Sequence, residues 1–191
     1  MSEKVSVTGT RERLLTAAER LLLTERYDDV SVRAICAAAQ ANPAAVHYHF
    51  GSKDALVSAL LEARLGPLWA DRLSTLAQRR APVPELVDAV IAPFVELSAD
   101  PVGRLHLSLL AQFVPGRRAG DWRQPWFRMD AWTDLLPGVP AAEGGRRWML
   151  AFELIIMRFG GARDRQPSPE SVAALRDFVV AGLTAPAGGD R

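Results

Sequence analysis

The side chains best placed to do chemistry lie between Val30 and Lys53, in the run VSVRAICAAAQANPAAVHYHFGSK. Arg33, Asn42, His47, Tyr48, His49 and Lys53 supply donors and positive charge, and no carboxylate occurs between Asp29 and Asp54. Metal binding is disfavoured. His47 and His49 are two apart, so on a helix they do not face one another, and no Cys or acid stands nearby to complete a ligand set. Enzymatic chemistry is disfavoured too, because the chain lacks a phosphate-binding Gly-rich loop, a Gly-x-Ser-x-Gly elbow and a Cys–His pairing in a suitable context. A short helix that is small, aromatic and cationic on its outer side suits the major groove of DNA, which admits one helix and repels carboxylates. Sequence-specific DNA binding is therefore the leading expectation, with no cofactor.

Those residues need helices to hold them. Apolar residues recur at helical period along the chain and no alternating strand pattern stands out, so the fold is expected to be all-α, with about nine helices. Thr10 is expected to cap a first helix bearing Leu14, Leu15, Ala18, Leu21 and Leu22. Ser31 caps a second, whose inner side is Val32, Ile35, Cys36 and Ala39. Gln40-Ala41 makes the turn, with Asn42 as N-cap and Pro43 at the first position of a third helix. At about 100° per residue, Val46 and Phe50 fall on the packing side of that helix, Ala44 and Tyr48 opposite, and Ala45 and His47 on the flanks. Small Ala44 and Ala45 would let the backbone approach base edges, with Tyr48 and His47 donating to bases or phosphates. Lys53 would meet a phosphate at the start of a fourth helix capped by Ser52, and Arg33 a phosphate or a guanine. Leu56, Leu60, Leu61, Leu65, Leu68, Leu73 and Leu76 mark the packing side of that fourth helix, which Gly66-Pro67 should kink or split.

Charge makes this head unusual. In its first 56 residues, Lys4, Arg11, Arg13, Arg20, Arg26, Arg33 and Lys53 are matched one for one by Glu3, Glu12, Glu19, Glu25, Asp28, Asp29 and Asp54. The whole chain of 191 residues carries a net charge of only +1. Affinity for DNA must then come from a few placed contacts and not from a bulk basic surface. Cys36 is the lone cysteine, which excludes an internal disulfide and fits a reducing cytoplasm. The opening MSEKVSVTGT has no apolar run, and Trp148–Met157 is too short to span a bilayer, so neither a secretory leader nor a membrane partner is expected.

The segment TRERLLTAAERLLLTERYDDVSVRAICAAAQANPAAVHYHFGSKDAL resembles the N-terminal domain of TetR-family transcriptional repressors of bacteria. The likeness rests on the opening helix, the Ser-started second helix, and Tyr48-His49-Phe50-Gly51-Ser52-Lys53 followed by an acid and Leu56. It implies a DNA-binding domain over residues 8–68, with the helix-turn-helix at about 31–50, and a C-terminal helical domain for ligand binding and dimerisation over 69–185. It also implies base or phosphate contacts from Arg33, Asn42, Pro43, Ala44, Ala45, His47 and Tyr48, and phosphate contacts from His49 and Lys53. Two positions depart from the family pattern. Gln40 stands where a turn glycine is usual, suggesting a more helical turn, and His47 where Tyr or Asn is common.

Beyond the head, helices are expected near 84–98 and 101–114, within Trp122–Leu136 after Pro125, and near 141–159 and 168–183. All five tryptophans lie in this body, and Phe113, Trp122, Trp126, Phe127, Met129 and Trp132 cluster around one loop and one short helix. Such an aromatic set suits a small, largely apolar effector, with His106, Gln112 and Arg158 as candidate polar anchors. Met149, Phe152, Ile155, Ile156 and Phe159, then Val172, Leu175, Phe178 and Val179, give the last two helices broad apolar faces. The resemblance implies that these helices pair with a second copy, presenting two heads to a palindromic operator. The expected protein is a cytoplasmic homodimeric repressor released by its ligand, the ligand moving the fourth helix about Gly66-Pro67. A DNA-binding dimer with no small-molecule response, and an activator, stand as alternatives.

Overall fold

The computed structural model describes residues 2–114, 123, 128, 130–133, 135–136, 138–161 and 166–186. Its regular structure there is entirely helical: α1 (Ser2–Leu22), α2 (Val32–Ala38), α3 (Ala45–Phe50), α4 (Lys53–Gln78), α5 (Val83–Ser98), α6 (Pro101–Phe113), α7 (Asp130–Thr133), α8 (Ala141–Gly160) and α9 (Pro169–Thr184). Helices α1 to α3 and the first turns of α4 pack as the head. α4 continues into the body, where α5, α6, α8 and α9 pack together. None of the described helices is long and apolar enough to cross a membrane.

Local chemistry explains most boundaries. Ser31 Oγ accepts from the Ala34 N–H, Ser52 Oγ from Ala55 and Ser168 Oγ from Ser171, while Asp100 Oδ1 takes both Val102 and Gly103. Each satisfies a helix N-terminal donor that would otherwise be orphaned. Thr10 is not such a cap: α1 starts at Ser2 and Thr10 lies inside it, its hydroxyl accepting from Arg13.

α4 is not split at Gly66-Pro67, and the helix runs through it for 26 residues. Proline removes one backbone donor and presses on the preceding turn. Here Leu65 and Trp69 are buried on either side, and the Trp69 indole N–H donates to the Val90 carbonyl of α5 at 3.0 Å. Tertiary packing thus helps hold both flanking turns helical. Trp69 also takes the inward position expected of Leu68, which is exposed. Of the helix expected within Trp122–Leu136, the described residues retain only the four of α7.

α6 and α8 cross at Gly160, where a Cβ would stand 2.5 Å from the Leu107 carbonyl oxygen. Only glycine permits that approach. On its other flank α8 carries an aromatic cluster in which Trp132 packs against Trp148 (ring centroids 4.9 Å apart) and Phe152 (4.6 Å).

Candidate nucleic-acid interface

The helix-turn-helix is built from α2, α3 and a four-bond corner between them. At the end of α2 the Gln40 N–H donates to the Ala37 carbonyl and the Ala41 N–H to the Cys36 carbonyl. This is a Schellman closure, and it puts Gln40 at φ +50°. The turn is therefore left-handed, as a glycine would make it, and not more helical. The six-to-one bond from Ala41 over-determines the backbone and holds the glutamine in a conformation that side chains disfavour. Asn42 Oδ1 then accepts from the Ala44 N–H at 2.8 Å, and Arg13 of α1 donates to the Ala39 carbonyl at 3.2 Å. The corner is locked from both sides.

Inside α3, Val46 is fully buried and Ala45 nearly so at 9% exposure. Ala45 therefore faces the head's core. The flank, base-contacting position expected of it is corrected, because its side chain is buried in the core cluster beside Val46. Pro43, Ala44, His47 and Tyr48 face outward, and Tyr48 is 79% exposed. His47 Nδ1 lies 3.0 Å from the Gly51 carbonyl, which fixes its ring against the end of α3. His49 is half-buried, edge-on to Tyr48 at 5.0 Å between centroids. Arg33 is exposed on α2 and has no hydrogen-bond or charge partner among the described residues. Arg11, which sequence reasoning passed over, stacks its guanidinium 5.1 Å from the Phe50 ring and adds positive charge beside α3.

Lys53 is drawn inward. Its Nζ donates to the Tyr27 and Val30 carbonyls, each at 2.9 Å, and stands 4.1 Å from the Tyr27 ring centre. Two of its three N–H bonds thus close the link between α1 and α2. Both acids bounding the carboxylate-free window are also engaged. Asp54 accepts from the Tyr27 hydroxyl. Arg26 donates to Asp29 at 2.9 Å, and that hydrogen bond holds the Asp29 carboxyl below its ordinary value. The outer surface of α3 is left polar, aromatic and free of carboxylates.

This corner is where the chain matches known proteins. The family described as bacterial regulatory proteins, tetR family, matches residues 14–60, from the middle of α1 into α4. The helix-turn-helix segment is thus similar to that of the tetR family. The chain is also similar to the HTH-type transcriptional regulator UidR of Escherichia coli (strain K12) and to the protein of the same name in Shigella flexneri. Each is 29% identical over 100 residues, covering 51% of this chain and 47% of the relative. The chain thus matches about half the length of these relatives.

Outside the matched segment, the residues expected to line an effector pocket divide. Phe113 and Trp132 are fully buried against neighbours, Phe113 meeting Tyr27 edge-on at 5.2 Å and Trp132 packing in the aromatic cluster. Both are filled core positions in this structure. Trp122, Trp126, Phe127 and Met129 lie outside the described residues. The candidate polar anchors all have protein partners: His106 with Glu19, Gln112 with Ser108, Arg158 with Ser171.

The expected dimer residues divide as well. Met149 and Phe178 are exposed, and Val172 and Leu175 half-buried. Ile156, Phe159 and Val179 are buried in the core, and Phe152 is half-buried in the aromatic cluster, so these four face inward. The outward apolar positions that sequence reasoning missed are Leu150 (62% exposed), Leu154 and Met157 (56%). With Phe178 and Gly182 they border a groove of about 490 Å³ between α8 and α9. α8 is apolar on two sides, and periodicity alone does not say which side the core takes.

Proposed function

We propose that the protein is a sequence-specific DNA-binding transcription regulator that acts as a homodimer on a palindromic operator. The observation that carries this is the outer surface of α3. Tyr48, His47 and Ala44 are presented on a helix whose opposite side is buried, with no unengaged carboxylate in the window around it. Arg33, Asn42, Pro43 and His49 complete the surface assigned to bases and phosphates, with Lys53 chiefly stabilising it. No catalytic role or cofactor is assigned.

Dimerisation is supported by the exposed apolar side of α8 and α9. Five of the nine large hydrophobic side chains exposed among the described residues are Met149, Leu150, Leu154, Met157 and Phe178. Contiguous apolar surface of this kind marks an association site. A self-complementary two-fold contact would cover it on both copies. Two heads also answer the neutral charge of one head, since phosphate contacts too few in one copy add across two. Release of the operator by a small, largely apolar effector in the body belongs to the proposal through the family likeness, with repression the expected outcome and the cytoplasm the place of action.

Selection of bound sequences from random duplex DNA, followed by footprinting, tests the reading. A palindromic motif protected on two half-sites is the expected result. Binding without sequence preference would overturn it, and an asymmetric single site would remove the dimer from it.

A further inference from the structure

His47 makes two bonds at the end of α3, and together they decide what its ring offers outward. The Gly51 N–H donates to the His47 carbonyl at 3.0 Å, and His47 Nδ1 lies 3.0 Å from the Gly51 carbonyl. Gly51 closes the helix at φ +84°, in the left-handed region that glycine enters freely. That backbone aims the Gly51 carbonyl at the ring. A carbonyl oxygen only accepts, so Nδ1 must carry a proton. In a neutral imidazole the second nitrogen is then bare, which makes Nε2 an acceptor. Around it, Arg33 offers only donors. Asn42, whose Oδ1 is taken up by the Ala44 N–H at 2.8 Å, offers its amide N–H groups. The acids bounding the stretch, Asp29 and Asp54, are engaged by Arg26 and Tyr27. His47 therefore brings a lone pair to a surface rich in donors.

We infer that His47 is a specificity-determining residue that accepts a hydrogen bond from the exocyclic amino group of an adenine or a cytosine in the major groove. Among base edges there, adenine N6 and cytosine N4 donate, whereas the polar groups of guanine and thymine accept. A bare Nε2 is attracted to the first pair and repelled by the second. The same argument takes His47 off the phosphates, whose oxygens only accept. Its ring is exposed on the outward side of α3 with Tyr48, where a base edge can meet it. The donor role expected of His47 from the sequence is thus reversed by the Gly51 carbonyl, one helical turn away. Each half-site bound by α3 carries an amino-bearing base opposite His47.

The inference rests on sequence-specific DNA binding, and two measurements keep the two apart. Nitrogen NMR of the full chain, with isotope-labelled histidine, is recorded without DNA at about pH 8, where imidazole is generally neutral. His47→Ala assigns the signal, which should show a protonated Nδ1 and a bare Nε2. A protonated Nε2 would overturn the inference. Gel-shift titration then uses the selected duplex with adenines replaced one at a time by purine, and cytosines by 2-pyrimidinone, each lacking only the amino group. At one base pair in each half-site, that loss should weaken binding by the unaltered chain roughly two- to tenfold, as removal of a neutral hydrogen bond does. His47→Ala should not respond to the same change, since a contact already removed is not lost twice. His47→Lys, which only donates, should select guanine at that position. If every amino group can be removed with equal effect on the unaltered chain and on His47→Ala, the inference falls and DNA binding stands. An unaltered chain with no sequence preference would overturn the proposed function and this reading with it, whatever the tautomer.

Discussion

The ammonium of Lys53 stands 4.1 Å from the centre of the Tyr27 ring while donating to the Tyr27 carbonyl. A charge that the sequence offers to a phosphate is thereby spent largely on holding the end of α1 to the starts of α2 and α4. Lys53→Met should cost the head about 1–3 kcal/mol through its charged hydrogen bonds alone, and lower the melting temperature even without DNA. Tyr48→Ala should leave stability within about 0.5 kcal/mol, as surface changes do, and still lose operator affinity. Thermal denaturation beside gel-shift titration of the two variants checks the contrast. Equal melting temperatures would place Lys53 back on the DNA side.

Gln40 is held at φ +50° by the Schellman bonds at the end of α2. Gln40→Gly should stabilise the chain by about 1 kcal/mol, the left-handed penalty of a side chain. For a chain of this size that is a rise of roughly 2–4 °C in melting temperature. A fall would mean that the glutamine side chain makes a compensating contact.

Gly160 allows α8 to reach α6. Gly160→Ala should destabilise by about 1–3 kcal/mol as an overpacked core does, as read by calorimetry. Gly182→Ala is the control for packing within one chain, since nothing lies within 4 Å of a Cβ there among the described residues.

Arg147 closes α9 from α8. It donates to the Leu183 and Pro186 carbonyls, each at 3.2 Å, and to Glu143 at 3.0 Å. The hydrogen bonds of Arg146 and then Arg147 hold the Glu143 carboxyl below its ordinary value of 4.5. A carboxyl lowered in the folded state adds stability that is present above 4.5 and lost as pH falls through the folded value. Glu143→Gln should therefore lower the melting temperature at pH 7, with the deficit shrinking and the acid limb flattening as pH falls below about 4.5. An unchanged acid limb would show that the pair is too well solvated to matter.

The exposed apolar side of α8 predicts its own disruption. Leu154→Glu and Phe178→Glu should each yield monomers at micromolar concentration while helix content persists, read by sedimentation and circular dichroism. Ile156→Glu should instead unfold the body, because Ile156 is buried. A Leu154→Glu protein that remains dimeric would move the interface elsewhere.

Local signals in the sequence determined a great deal. Ser31, Ser52, Asp100 and Ser168 announce their helices because a short polar side chain accepting an orphaned amide depends on nothing remote. The head's type was legible for the same reason, since a helix-turn-helix is a contiguous segment whose caps, corner and aromatic ending all lie within about two dozen residues. The tertiary structure alone decided which of two apolar sides of α8 is core, that Ala45 turns inward, that Lys53 is diverted to Tyr27, and that α4 passes unbroken through Pro67. Each of these is a competition between a local preference and neighbours distant in the chain, and burial against a partner outweighs the local term. The carboxylate-free surface of α3 belongs to the sequence. Its attachment to the body belongs to the tertiary structure, through contacts such as His106–Glu19 that link residues 87 apart.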